Sequence, residues 1–559
     1  MSRAVKGRAR VARIGRGRAD SAPDAVVVGA GHNGLVSANI LADAGWDVVV
    51  LEATEHLGGA VRSGEVTSPG YVSDLFSAFY PFGAASPVLQ ALELETHGMQ
   101  WSHAPSVLAH VFPDDRCAVL SRDVAETAES VSAFAPSDGA AWEHVVGQWE
   151  RIEDTMLDAL FRPFPPVLPV ARLARQLHVA GLARLARLAV LPVRRCTEEW
   201  FDGDGARMLM AGCAMHADLS PESAGSAIFG WLLTMIGQTH GFPVPRGGAG
   251  GLTDALATRL ARRGGTMRTA SPVERILMNG GRAVGVRLRG GETVWARRAV
   301  LADVNAPELY GALVGHDRLP PRFGRDLSQF QWDTPTLKLD WALSAPIPWQ
   351  APGARRAGTV HLDLDMDGMT EFSSSLARRR VPEQPLIILG QMTTADPSRS
   401  PAGTESAWGY THLPIGHPLT EDDIDRHVAL VESVVDRHAP GFKARIVSRY
   451  VQSPSRLNQE NPNLRHGAIN GGTTQLHQQL IFRPTIGLGG AATPVDRLFL
   501  ASASAHPGGG VHGGPGSNAA RAALARSGAG GGLSRLATSA AFGRLYRDAP
   551  AADADRWPL

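Results

Sequence analysis

Gly29-Ala30-Gly31-His32-Asn33-Gly34, followed further on by Glu52, has the residue types that grip a dinucleotide. Gly29 permits a tight turn. Gly31 lets a diphosphate approach bare backbone, and Gly34 lets a helix pack closely on its strand. Glu52 can accept hydrogen bonds from both hydroxyls of a ribose. It would repel a 2′-phosphate, which argues against NADP in this slot. Glycine spacing alone is weak evidence, because the chain matches it twice. No acid follows the second match, Gly508-Gly509-Gly510-Val511-His512-Gly513, until Asp548.

The first match has the elements needed to position it. Val26, Val27 and Val28 read as a buried parallel strand, Leu35–Ala44 as a helix, and Val48–Leu51 as a second buried strand ending on the acid. The helix would turn its free N–H groups and positive dipole end towards the phosphates. The result is a complete β-turn-α-β unit.

Beyond Glu52 the chain runs Ala53-Thr54-Glu55-His56-Leu57-Gly58-Gly59-Ala60-Val61-Arg62-Ser63. This E-x5-GG-x2-R-S string resembles the FAD fingerprint of the phytoene dehydrogenase and amine oxidase flavoproteins. The resemblance extends through residues 24–527. It includes Gly247-Gly248-Ala249-Gly250-Gly251-Leu252, Asn461-Pro462-Asn463-Leu464, Phe482-Arg483-Pro484 and His506-Pro507-Gly508-Gly509-Gly510-Val511. It implies FAD contacts at Gly29, Ala30, Gly31, Asn33, Gly34, Glu52 and Ala53. Gly58, Gly59 and Arg62 would approach the pyrophosphate and flavin, and Val273 would meet the adenine through its backbone. Ser502, Gly509, Gly510, Val511 and Asn518 would line the isoalloxazine and ribityl chain. A cluster of donors there would stabilise an anionic reduced flavin.

Two residues are candidates for a chemical role. His506 is either a flavin neighbour or a residue that orders its turn. Lys338 is either the lysine that related amine oxidases place near flavin N5 or a rim lysine paired with Asp340. Asp74–Pro81 passes near the flavin in the family; as plain sequence it also reads as a core loop. No acid–base constellation stands out.

The chain has 559 residues, 44% hydrophobic and 19% charged, with a formal charge of +1. These figures fit a globular protein of more than one domain and give no push towards nucleic acid. Cys117, Cys196 and Cys213 are far apart, so no C-x-x-C redox centre exists. No Cys/His cluster has zinc spacing, and no metal is expected. Residues 1–20, rich in arginine, read as a basic tail or as a transit peptide. The first implies a cytoplasmic protein and the second a mitochondrial matrix one; the scarcity of serine favours the tail.

The fold expected is α/β. A discontinuous, Rossmann-like FAD-binding domain of the glutathione-reductase/amine-oxidase kind takes residues 21–100, 245–315 and 485–527. A mixed α+β substrate domain takes 101–244 and 316–484, and 528–559 is a C-terminal tail with one short helix at most. Residues 162–195 hold seven arginines, no acid and leucines at helical spacing. They suit a helix lying on a membrane surface, or a surface helix with solvated arginines, kept short by Pro165, Pro166, Pro169 and Pro192. The function expected is FAD-dependent desaturation or dehydrogenation of an apolar, isoprenoid-like small molecule. Alternatives are an amine or natural-product oxidase using oxygen, and an FAD-holding protein acting through a protein partner.

Overall fold

The computed structural model describes residues 22–547. The basic segment 1–20 lies outside the described residues, as do residues 548–559. The valine run 25–28 forms strand β1 (Ala25–Val28), and the next buried run forms β2 (Val48–Leu51). Helix α1 (His32–Asp43) joins them. The sheet is completed by β3 (Thr266–Arg268), β4 (Ala299–Ala302) and β5 (Leu498–Leu500). All pairings are parallel, in the order β5-β4-β1-β2-β3. Strands from three distant parts of the chain therefore share one sheet with β1 at its centre. In such sheets a ligand sits beyond the carboxyl ends of the strands, where the strand order reverses.

Helix α1 has no side-chain cap of its own. Asp303, at the end of β4, supplies one: its Oδ2 accepts the Gly34 N–H at 2.9 Å. Against α1 packs α2 (Gly514–Ser527), so closely that a Cβ on Gly516 would lie 2.1 Å from the Asn33 carbonyl oxygen.

A seven-stranded, largely antiparallel sheet forms the second layer. It takes strands Ser106–Val111 and Cys117–Leu120 from before β3, and Thr336–Leu343 through Ile446–Gln452 from after β4. The strand Thr336–Leu343 alternates in sequence but is buried along its whole length, because it is covered on both faces.

The arginine-rich stretch Val167–Leu188 is two short helical runs that meet at His178, whose backbone is non-helical (φ 55°). Pro169 lies in the first turn, where no backbone N–H is needed, and Pro192 lies beyond the end. One expectation needs correction: the C-terminal segment is not a tail with a short helix at most. Gly531–Leu545 is a fifteen-residue helix. Phe542 stacks on Tyr546, whose ring meets Phe323 edge-on, and Thr485 bonds to the Tyr546 hydroxyl. Two buried aromatics anchor an otherwise weakly patterned helix.

Candidate functional site

Three loops converge at the carboxyl end of β1. The first turn and the paired glycines touch through a bridge between Gly31 and Gly58, and the Gly58 N–H bonds to the Ala30 carbonyl at 2.8 Å. The turn 506–512 closes from the α2 side. A Cβ on Gly31 would meet Asp303 Oδ2 at 2.4 Å, and one on Gly509 would meet Asn470 backbone at 2.8 Å. A side chain at Gly31 would have to displace the Asp303 carboxylate and one at Gly509 the Asn470 backbone, and the backbone these glycines expose is what an anionic cofactor needs.

The loops open into one cavity of about 1400 Å³. That exceeds the ~300–1000 Å³ of a single small-ligand pocket, leaving room for a dinucleotide and a substrate together. Gly29, Gly31, Asn33, Glu52, Ala53, Gly59, Arg62 and Val273 line its nucleotide side. Ser502, Gly509, Gly510 and Val511 line the next part. An apolar chamber of the same cavity is walled by residues that include Phe79, Phe229, Leu232, Phe242, Trp408 and Tyr410. The segment 76–81 lines the cavity too, so the loop Asp74–Pro81 belongs to the site.

Ala30, Gly34, Gly58 and Asn518 do not line the cavity; they build its wall. Glu52 holds the turn: its carboxylate accepts the Ala30 N–H at 2.9 Å, the Thr54 N–H at 2.9 Å and the Thr54 hydroxyl at 3.0 Å. Arg62 donates to the Gly59 and Glu460 carbonyls and stacks over Phe76, with its charge facing the cavity loops. Asn518 donates weakly to the His506 carbonyl at 3.4 Å.

His506 is also off the cavity wall. Its Nε2 lies 3.0 Å from the Arg162 carbonyl, and burial holds its ring down to about 4, so it orders the loop. The adjacent Pro507, and not His506, lines the cavity, and His506 Nδ1 is buried without a partner. Lys338 does line the chamber. It is buried, not at the rim, and ion-paired with Asp340, whose carboxyl burial raises to about 6 against the pull of Lys338.

Several site residues carried no signal in the sequence. Asp303 is buried beneath Gly31, and burial lifts its carboxyl to about 7, with the Gly34 N–H opposing and Glu52 assisting. His32 lines the cavity with a buried, unpartnered Nε2, and burial holds it neutral, at about 4. His512 is fixed between the Gly509 carbonyl and the Gly514 N–H. Arg483 donates to the carbonyls of Asn470, Gly472, Thr473 and Ala503, while Asp333 accepts the N–H groups of Ile469, Asn470 and Gly472. This buried pair locks the loop that crosses the cavity. The arginine stood out only as part of a string, and the aspartate not at all.

The site residues fit a flavin dinucleotide. Besides the glycine cradle, Asn33 Oδ1, Asn470 Nδ2 and His32 Nε2 are buried polar atoms without partners in the protein. Such atoms are costly unless a bound group satisfies them. No group of metal-ligating side chains occurs among the described residues. Cys117, Cys196 and Cys213 are free, and burial pushes each thiol up to about 12, so none is a reactive thiolate. Among the described residues no helix is long and apolar enough to cross a membrane.

Known proteins resemble this chain in sequence and in fold. The chain is 28% identical over 548 residues to pyridine nucleotide-disulfide oxidoreductase domain-containing protein 2 of Rattus norvegicus, spanning 89% of this chain and 92% of that one. It is 24% identical over 527 residues to a component of the limonene dehydrogenase of Castellaniella defragrans, spanning 89% and 94%. An oxidoreductase structure from Methanosarcina mazei superposes with a TM-score of 0.60 at 15% identity, over 89% of this chain and 99% of that one, which shows a shared fold. Residues 34–397 match the profile of the flavin containing amine oxidoreductases. The chain is a flavin-dependent oxidoreductase and belongs to the flavin containing amine oxidoreductase family.

Proposed function

We propose that the protein binds FAD along the groove from Val273 to Val511 and dehydrogenates an apolar small molecule held in the aromatic chamber. The observation that carries this reading is the continuity of the cavity: the glycine cradle and a group of aromatic and leucine side chains line one and the same cavity. Glu52 and the Gly31 turn hold the adenosine diphosphate part, and Arg62 offsets its charge. Bound oxidised flavin accepts a hydride from a substrate C–H. The chain's own work is to orient the substrate, exclude water and take up a proton. The likeness to the limonene dehydrogenase component supports a hydrocarbon substrate. Anaerobic bleaching of the bound flavin by limonene, squalene or phytoene tests the reading. Failure of all three, with a benzylamine series bleaching the flavin instead, would replace it.

One observation favours that second reading, amine oxidation. Trp408 and Tyr410 stack at 5.7 Å and both line the chamber, and paired aromatic faces attract ammonium groups. Stoichiometric peroxide with an amine, and none with a hydrocarbon, would establish it. We also propose that the protein works at the cytoplasmic surface of a membrane. The stretch Val167–Leu188, two helical runs broken at His178, exposes Val167 and Leu168 on the run that carries Arg172 and Arg175, and Val179 at the start of the next. Cosedimentation with anionic lipid vesicles, lost on Leu168→Glu/Val179→Glu, tests this.

A further inference from the structure

The desaturation proposed above needs a base for the second hydrogen, and the sequence offers none. We propose that His216 is that base, with His361 as its positioning residue; the assignment rests on the dehydrogenase reading.

His216 follows the helix Asp204–Met215 as its C-terminal cap and lines the chamber. Its Nε2 lies 2.7 Å from Nε2 of His361, on the strand Ala357–Leu362, and Nδ1 has no partner among the described residues. Gly212 makes room for the second ring, since a Cβ there would lie 2.1 Å from His361 Nδ1. Two imidazoles so close cannot both carry a proton between them and cannot both be charged. One Nε2–H is therefore shared, and we assign it to His216; His361 then carries its own proton on Nδ1, a buried atom without a partner, and His216 keeps a lone pair on Nδ1.

The charged groups around the pair are few. His412 is paired with Asp218 at 2.9 Å, Asp333 lies beyond them, and His110 packs 6.0 Å from the His361 ring. Burial, assisted by His412, holds His216 down to about 4. A base this weak suffices for the step considered. As hydride leaves one substrate carbon for the flavin, positive charge develops there, and the neighbouring C–H becomes strongly acidic. Its electron pair becomes the new C=C bond, its proton goes to His216 Nδ1, and two electrons leave with the hydride. The negative end of the helix dipole and the His361 lone pair then stabilise the imidazolium. Because burial keeps the ring neutral, the lone pair is available across the whole physiological range.

The test uses flavin-loaded protein and the probes limonene, squalene and phytoene. With whichever probe bleaches the wild-type flavin, His216→Gln should slow bleaching about 100-fold or more, the usual worth of a positioned base. Flavin retention and probe affinity, read from flavin fluorescence, should change less than about twofold, which a merely structural role would not leave intact. His361→Asn should slow the step less and move its acid limb. Unchanged bleaching in His216→Gln, or a loss of probe binding that accounts for the whole effect, overturns the assignment. If no probe bleaches the wild type, the dehydrogenase reading falls instead. The histidine pair is then judged by nitrogen NMR of histidine-labelled protein, using His216→Gln to identify the signal. A His216 ring with a bare Nδ1 and a protonated Nε2 between pH 6 and 8 supports its role as a base. A protonated Nδ1 overturns it.

Discussion

Glu52 has two tasks that can be separated by substitution. In the fold alone, its carboxylate satisfies the Ala30 N–H at the centre of the glycine turn, as well as two donors of Thr54. Ala30 is fully buried, whereas Thr54 reaches solvent and can turn to water. Glu52→Ala therefore strands one buried N–H, at a cost of about 1–3 kcal/mol in flavin-free protein. Glu52→Gln keeps one acceptor for that N–H and should cost less. Both variants lose the charge that a ribose hydroxyl would meet, worth about 1.5–3 kcal/mol, or roughly 10- to 150-fold in FAD affinity. Chemical unfolding of stripped protein measures the first effect, and titration with FAD the second. The expected order of stability is wild type, then Gln, then Ala, with both variants weakened in binding. A flavin-free Ala variant as stable as the wild type would refute the scaffolding task. FAD binding at wild-type strength would refute the ribose task.

Further outcomes follow from single contacts. Gly516→Ala should part α1 from α2 and abolish flavin retention, because its Cβ would strike the Asn33 backbone at 2.1 Å. Gly147→Ala, within the helix Asp138–Glu150 and facing open space, should instead gain about 0.5–1 kcal/mol in thermal unfolding. Asp303 should ionise as pH rises through about 7, placing a negative charge beneath the diphosphate cradle. FAD affinity should therefore fall between pH 6 and 8.5, and Asp303→Asn should flatten that dependence in equilibrium titrations. His438 sits between Asp115 at 2.7 Å and Asp363 at 2.9 Å, and these partners raise its pKa although burial opposes them. The folded state then holds a proton that the unfolded state releases, so the contribution is full below about pH 6.5 and is lost as pH rises through the higher folded value. Denaturation midpoints should fall over that window, and His438→Gln should remove the slope.

The nucleotide unit was legible because each of its residues answers a local demand. Glycines are required where backbone must be bare, valines where a strand is buried, and an acid where a strand ends. The loop 506–512 was legible only through resemblance. What stayed hidden depends on distant partners. Asp303 looks like an ordinary strand-end acid until β4 brings it under Gly31. Asp333 and Arg483 form a lock only when the loop 469–473 is laid between them. His216 and His361 are far apart in the chain and have no common motif; a helix end and a sheet strand bring them together. The helix Gly531–Leu545 was missed because it opens on glycines and buries little beyond Phe542 and Tyr546. His506 could be read two ways, as a flavin neighbour or as a residue that orders its turn; in the fold its Nε2 meets the Arg162 carbonyl and the ring stays off the cavity wall.

The most direct test is to purify the protein, extract and identify whatever flavin it carries, and titrate stripped protein with FAD against FMN. FAD should be bound in equal amount to protein, with FMN at least about 100-fold weaker because it lacks the adenosine half that the Gly31 turn and Glu52 would hold. Colourless protein that takes up neither flavin, or binds FMN as tightly as FAD, would show that the glycine cradle is not a flavin dinucleotide site.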